Sequence, residues 1–181
     1  MKSIRLLIFG VLCAGLGILA PQVRAQTDRT YLSTADSTEE RMGTFPQRIG
    51  WVNDYEKLLT ANEIAELTTI IRNHQQLTGD EIAIVTTKSF APYHDLGGYG
   101  KDLATVWGIG KSKKDKGLMI MLSKTKGEIQ FVPGDGLKGT LTDTLLNQLI
   151  DNKMIGSLQK ELFGDALIAG TKEIIRILES H

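Results

Sequence analysis

The sequence predicts an α/β domain, with a small mixed sheet held between layers of helices. Three observations carry that expectation. Two short apolar runs, Ile82-Ala83-Ile84-Val85 and Leu118-Met119-Ile120-Met121-Leu122, lie on either side of a segment with helical spacing. Strands covered on both faces read as such continuous runs, and a strand–helix–strand crossover within one sheet is parallel and right-handed. After the second run, the turn at 124–127 leads into Glu128-Ile129-Gln130-Phe131-Val132, whose alternation adds an antiparallel partner. Amphipathic helical stripes before and after this core are sufficient to cover the sheet.

Residues 1–25 read as a secretory signal. Lys2 and Arg5 precede a nearly uncharged apolar run from Leu6 to Ala20, and Val23-Arg24-Ala25 supplies small residues for cleavage before Gln26. The run is about fifteen residues, short of the roughly 20 that a membrane-spanning helix needs. Cys13 is the only cysteine, and Gly10 stands three residues before it, where a lipidation signal has Leu. The mature chain is therefore expected to be soluble, periplasmic or secreted, and without disulfides. Residues 26–45 are polar and aperiodic and read as a leader.

The folded domain is expected over residues 46–181. Thr60-Ala61-Asn62-Glu63 has the form of a capping box, and Ile64, Leu67, Ile70 and Ile71 follow as a helical stripe that ends at Thr78-Gly79. The first apolar strand comes next. Asp95 can cap a second helix through Leu96, Tyr99, Leu103 and Trp107, although Gly97, Gly98 and Gly100 each cost roughly 1 kcal/mol against Ala and predict a frayed or delayed start. The second strand and the hairpin follow. From Thr142 the helical pattern returns, as Leu145, Leu146, Leu149, Ile150 and Met154, then as Ala166, Leu167, Gly170, Ile174 and Ile177.

Charge excludes one class of function. The chain has 21 basic and 21 acidic residues, and the part after residue 25 is slightly acidic, so no excess of Lys and Arg is present to neutralise nucleic acid. Gly110-Lys111-Ser112 looks like the end of a phosphate-binding loop. However, Thr105 stands where that motif needs Gly, and the segment follows a helix and precedes a strand, the reverse of the required order. Neither nucleotide nor nucleic acid is an expected ligand. His74, His94 and His181 are too scattered for a local metal motif and read as surface or core-edge residues.

The acidic residues say more. If Leu122 pairs near Glu128 or Ile129, Asp115 comes close to Asp135, and Asp143 at the next helix start approaches the same end of the sheet. Carboxylates converging from two loops and a helix start suit a hard cation, calcium before magnesium, since calcium accepts irregular oxygen cages. Asp80 and Glu81, at the start of the parallel strand, are second-tier candidates. All three principal residues also have ordinary roles: Asp115 and Asp135 in turns beside Gly, Asp143 at a helix N-terminus. The spacing leaves both readings open. Lys111, Lys113, Lys114, Lys116 and Lys138 lie nearby, where they weaken cation binding or attract an anion.

Four blocks carry a resemblance. Val52-Asn53-Asp54-Tyr55, Trp107-Gly108-Ile109-Gly110, Asp115-Lys116-Gly117, and Gly134-Asp135-Gly136-Leu137-Lys138-Gly139 with Leu141-Thr142-Asp143 resemble, in order, the motifs of the TPM domain family. The likeness covers about residues 46–178. It implies a three-layer α/β/α sandwich with a mostly parallel sheet and one antiparallel hairpin. It further implies an extracytoplasmic binding or accessory module, some members binding calcium or related cations and others assisting membrane proteins of the envelope. A metal-dependent phosphatase is the alternative activity it implies. The expected partners are a divalent cation and an envelope membrane protein, and the expected state is a monomer. Many members have Asn where this chain has Lys116 and Glu where it has Lys138, so two cations stand beside the proposed metal ligands Asp115, Asp135 and Asp143. Many relatives also continue into a membrane helix and a Gly-rich tail, and this chain resembles a free-standing form.

Overall fold

The structure is a computed structural model that describes residues 45–111 and 116–180. The expected signal peptide, nearly all of the leader, and Asp115 lie outside the described residues. Four strands form one sheet in the order β1 (Val52–Asp54), β2 (Glu81–Thr86), β3 (Gly117–Ser123) and β4 (Glu128–Pro133). The β1–β2 and β2–β3 pairs are parallel and β3–β4 is antiparallel, so the sheet is mixed as expected. Leu122 stands opposite Ile129, within the expected register.

The expected order of elements omits β1. Three residues, one of them apolar, carry no periodic signal, and Val52–Asp54 becomes a strand only by lying against Ile84–Thr86. Buried Asn53 holds it there: its side chain accepts from the N–H groups of Ile49 and Gly50 and donates to the carbonyls of Gly50 and Ile84. Asp54 accepts from the N–H groups of Leu58 and Leu59 and from the Thr86 hydroxyl.

Helix α1 (Ala61–Thr78) opens with both halves of the capping box. Thr60 accepts from the Glu63 N–H, and the Glu63 carboxylate accepts from the Thr60 N–H at 2.7 Å. Gly79, at φ 78°, closes it. Helix α2 (Leu96–Trp107) begins at once, against the expectation of a delayed start. Asp95 accepts from the Gly98 N–H at 2.7 Å, and Gly100 lies against Met121 and Val132, where a Cβ would sit 2.9 Å from Met121 Cγ. Of the three glycines that cost helix propensity, Gly100 is the one that lets α2 approach the sheet. Helix α3 (Asp143–Leu149) runs through a π-helical turn (Ile150–Met154) into α4 (Ile155–Leu158), and α5 (Phe163–Glu179) completes the domain.

Alternation along the strands sorts the core into two layers. Ile82, Ile84, Leu118, Ile120, Leu122 and Phe131 face the side of α1, α3 and α5, packing with Leu67, Ile71, Leu146, Ile174 and their neighbours. Ala83, Val85, Met119 and Met121 face α2, with Leu96, Tyr99 and Leu103. This is the three-layer arrangement. Among the described residues no helix is long and apolar enough to cross a membrane.

Candidate ligand-binding cleft

Where α2 meets the end of the sheet, a cleft of about 740 Å³ opens. One wall is α2, through Gly97, Gly98, Lys101, Ala104 and Thr105. The other is the run Gln130–Pro133 of β4 and the loop that follows it, including Asp135, Lys138, Leu141 and Asp143. Ile109, Lys111 and Gly117 also line the cleft. Gly117 is obligatory here: a Cβ would lie 2.8 Å from both Gly110 N and Ile109 C, which are backbone atoms.

Two of the three sequence-predicted carboxylates, Asp135 and Asp143, line this cleft, and the third, Asp115, lies outside the described residues. Both are exposed. Asp143 is the first residue of α3, directly after the cap Thr142, whose side chain accepts from the Leu145 N–H. Asp135 is ion-paired with Lys138 three residues on. The hydrogen bond from Lys138 holds the Asp135 carboxyl below the usual carboxylate range, with a smaller contribution from the charge of Lys101. Among the described residues, no three His, Cys, Asp or Glu side chains gather as a metal-holding group. The described donors therefore do not form a calcium cage by themselves, because calcium takes six to eight oxygens.

The second-tier carboxylates are used elsewhere. Glu81 accepts from the Gly110 N–H at 2.9 Å and from Arg48 at 3.1 Å, which holds the loop after α2 and the residues before β1 to the start of β2. Asp80 is buried, 4.0 Å from His74 Nε2 on one oxygen and 4.0 Å from Lys116 Nζ on the other. Lys116 thus turns toward Asp80, while Lys111 and Lys138 stay on the cleft wall. His74 is a core-edge residue within the range expected, nearly fully buried, with Nδ1 3.4 Å from Glu179 at the end of α5.

Sequence reading missed Lys101, Thr105 and Gln130. Their signal was faint: one turn of α2 places Lys101 on the same face as Gly97 and Gly98, but only docking of α2 on β4 turns that face into a wall. Thr105 donates to the Lys101 carbonyl at 3.0 Å, and Gln130 Nε2 donates to the Phe131 carbonyl at 3.3 Å.

The TPM domain family model matches residues 52–177. No curated protein matches the chain. Among solved structures, the N-terminal domain of a P. gingivalis protein is 27% identical, with a TM-score of 0.65 over 72% of this chain and 82% of that one. The BA42 protein of the psychrophilic bacterium Bizionia argentinensis is 18% identical, with a TM-score of 0.60 over 70% of this chain and 85% of its own. The N-terminal domain of the cg2496 protein of Corynebacterium glutamicum is 16% identical, with a TM-score of 0.55 over 74% and 83%. These last two likenesses concern the fold. With its motif blocks, sheet order and a match that spans most of its length, the chain belongs to the TPM domain family.

Proposed function

We propose that the chain is an extracytoplasmic binding or accessory module that works through the α2–β4 cleft and assists the assembly or upkeep of envelope proteins. The observation that carries this reading is the make-up of the cleft wall. It combines lysines, carboxylates, glycines and apolar side chains. Among the described residues its two hydroxyls, Thr105 and Thr142, are hydrogen-bonded to backbone, Thr105 donating to the Lys101 carbonyl and Thr142 accepting from the Leu145 N–H. A nucleophile needs a base beside it and a group to stabilise developing charge. The lining residues are better suited to holding a ligand than to attacking one.

Calcium belongs to this reading as a ligand of Asp115, Asp135 and Asp143, with magnesium as the alternative. What opposes it is Lys138, whose ammonium already neutralises Asp135 and must leave before a cation enters. Calcium affinity is accordingly expected to be weak. The alternative function is a metal-dependent phosphatase, in which Asp115 would activate water and the lysines would attract phosphate.

The test is turnover of a generic phosphate ester by the purified full chain with calcium, magnesium or manganese. No turnover is expected. Turnover lost in Asp115→Asn, with folding intact by circular dichroism, would replace the binding reading with the enzymatic one.

A further inference from the structure

The two parallel registers and the hairpin fix which way each backbone group of β4 points. The N–H groups of Glu81 and Thr87 donate to the carbonyls of Lys116 and Leu122, so the even-numbered residues of β3 bond to β2. The odd-numbered ones are left for β4, and the Gly134 N–H indeed donates to the Gly117 carbonyl at 2.7 Å. Gln130 and Val132 therefore bond inward to β3, while Ile129 and Phe131 turn their N–H and C=O groups to the open side of the sheet.

The cleft reaches that open side at Phe131, and Ile129 continues the same edge two residues away, outside the cleft wall. Gln130, Phe131, Val132 and Pro133 all line the cleft, although strand alternation sends only every second side chain to the α2 layer. The ring of Phe131 is buried in the opposite layer, so Phe131 contributes backbone to the wall. Its carbonyl is covered by the Gln130 amide, but among the described residues its N–H and that of Ile129 meet no acceptor on this side. Sheet proteins normally cover or blunt such an edge, and an unpaired edge beside a groove is a template for an added strand. Pro133, which has no N–H, ends the usable stretch.

We propose that the cleft takes an extended acidic peptide segment of a partner protein, added to the free edge of β4 as a fifth strand. The proposal rests on the binding-module reading above and names its ligand class. Backbone pairing with Ile129 and Phe131 supplies the docking. Charge selects the segment: among the described residues, Asp135 and Lys138 neutralise each other, leaving Lys101 and Lys111 against Asp143 on the wall. A ligand with carboxylates on the side facing α2 meets those two ammonium groups, whereas a basic one meets repulsion.

The experiment uses the full chain, 15N-labelled, with a synthetic decapeptide of alternating valine and glutamate. Matched valine–lysine peptide and inorganic phosphate at equal ionic strength serve as competitors. The expected result is saturable binding of the acidic peptide alone, with hydrogen exchange at the Ile129 and Phe131 amides slowed at least tenfold. Ile129→Pro removes an edge donor that β3 does not use, and affinity falls about tenfold; because it also removes the packing of Ile129 on the core, Ile129→Ala, which keeps the donor, is the packing control and binds as wild type. Lys101→Glu lowers it further without changing the spectrum of the free sheet.

Peptide binding that leaves those two amides exchanging as before, or that survives Ile129→Pro unchanged, overturns strand addition. Equal shifts from phosphate alone reduce the site to an anion pocket and overturn it too. The binding-module reading fails separately, by phosphate-ester turnover. It survives a negative peptide result if calcium still perturbs the amides of residues 135–143.

Discussion

Lys138 sets the behaviour of Asp135. Its hydrogen bond lowers the Asp135 pKa below the ordinary value of 3.8. The sign of the linkage follows: a carboxylate depressed in the folded state favours folding above its unfolded pKa and loses that contribution as pH falls through the folded value. The window is therefore below about pH 4, and because both side chains are exposed the effect is screened and small. Replacing Lys138 with Gln should move the Asp135 titration, followed by carboxyl 13C NMR, up toward the ordinary range. An unmoved titration would mean that the ion pair does not form in solution. Lys138→Glu removes the competing ammonium and adds an oxygen donor, so calcium affinity by titration calorimetry should rise at least tenfold. No gain would count against Asp135 as a calcium ligand.

At the level of elements, the motif Val52-Asn53-Asp54-Tyr55 is structural. Asn53 and Asp54 hold β1 and the turn after it, and Tyr55 donates its hydroxyl to the Gln47 carbonyl. Glu56 extends the same work, accepting from the N–H groups of Lys124 and Thr125 to hold the β3–β4 turn. Thr60→Ala removes one side of the α1 capping box and should cost about 1 kcal/mol in urea unfolding. A loss below the error of that measurement would mean the exposed cap is already satisfied by water. Gly117→Ala at the start of β3 should cost more, about 3 kcal/mol, because the added methyl meets backbone rather than a yielding side chain. Unchanged stability there would show that the loop after α2 moves freely.

On the scale of the whole molecule, Lys101, Lys138 and Asp143 are exposed and belong to neither core layer, so charge changes at them should leave the stability within about 0.5 kcal/mol of wild type. A larger loss at any of them would make that side chain structural. The expected export predicts a native N-terminus at or near Gln26 by mass spectrometry, and a retained Met1 in the membrane fraction would end the reading of a cleaved, soluble protein.

What the sequence determined by itself was everything set by local period and local caps. The apolar runs of β2 and β3, the alternation of β4, the hairpin turn, the Thr60–Glu63 box and the Asp95 cap each need only residues a few positions apart, and the Leu122–Ile129 register followed from them. Tertiary structure decided the rest, because the remaining features have partners far away in sequence. Three-residue β1 exists through Asn53 and its pairing with β2. Helix α2 starts on glycines because Gly100 must fit against Met121. Lys101 becomes a cleft residue, and β4 an open edge, only once α2 docks across a sheet whose last strand has a neighbour on one side alone. A period of two or 3.6 encodes which face of an element is buried, but not which other element lies beside it.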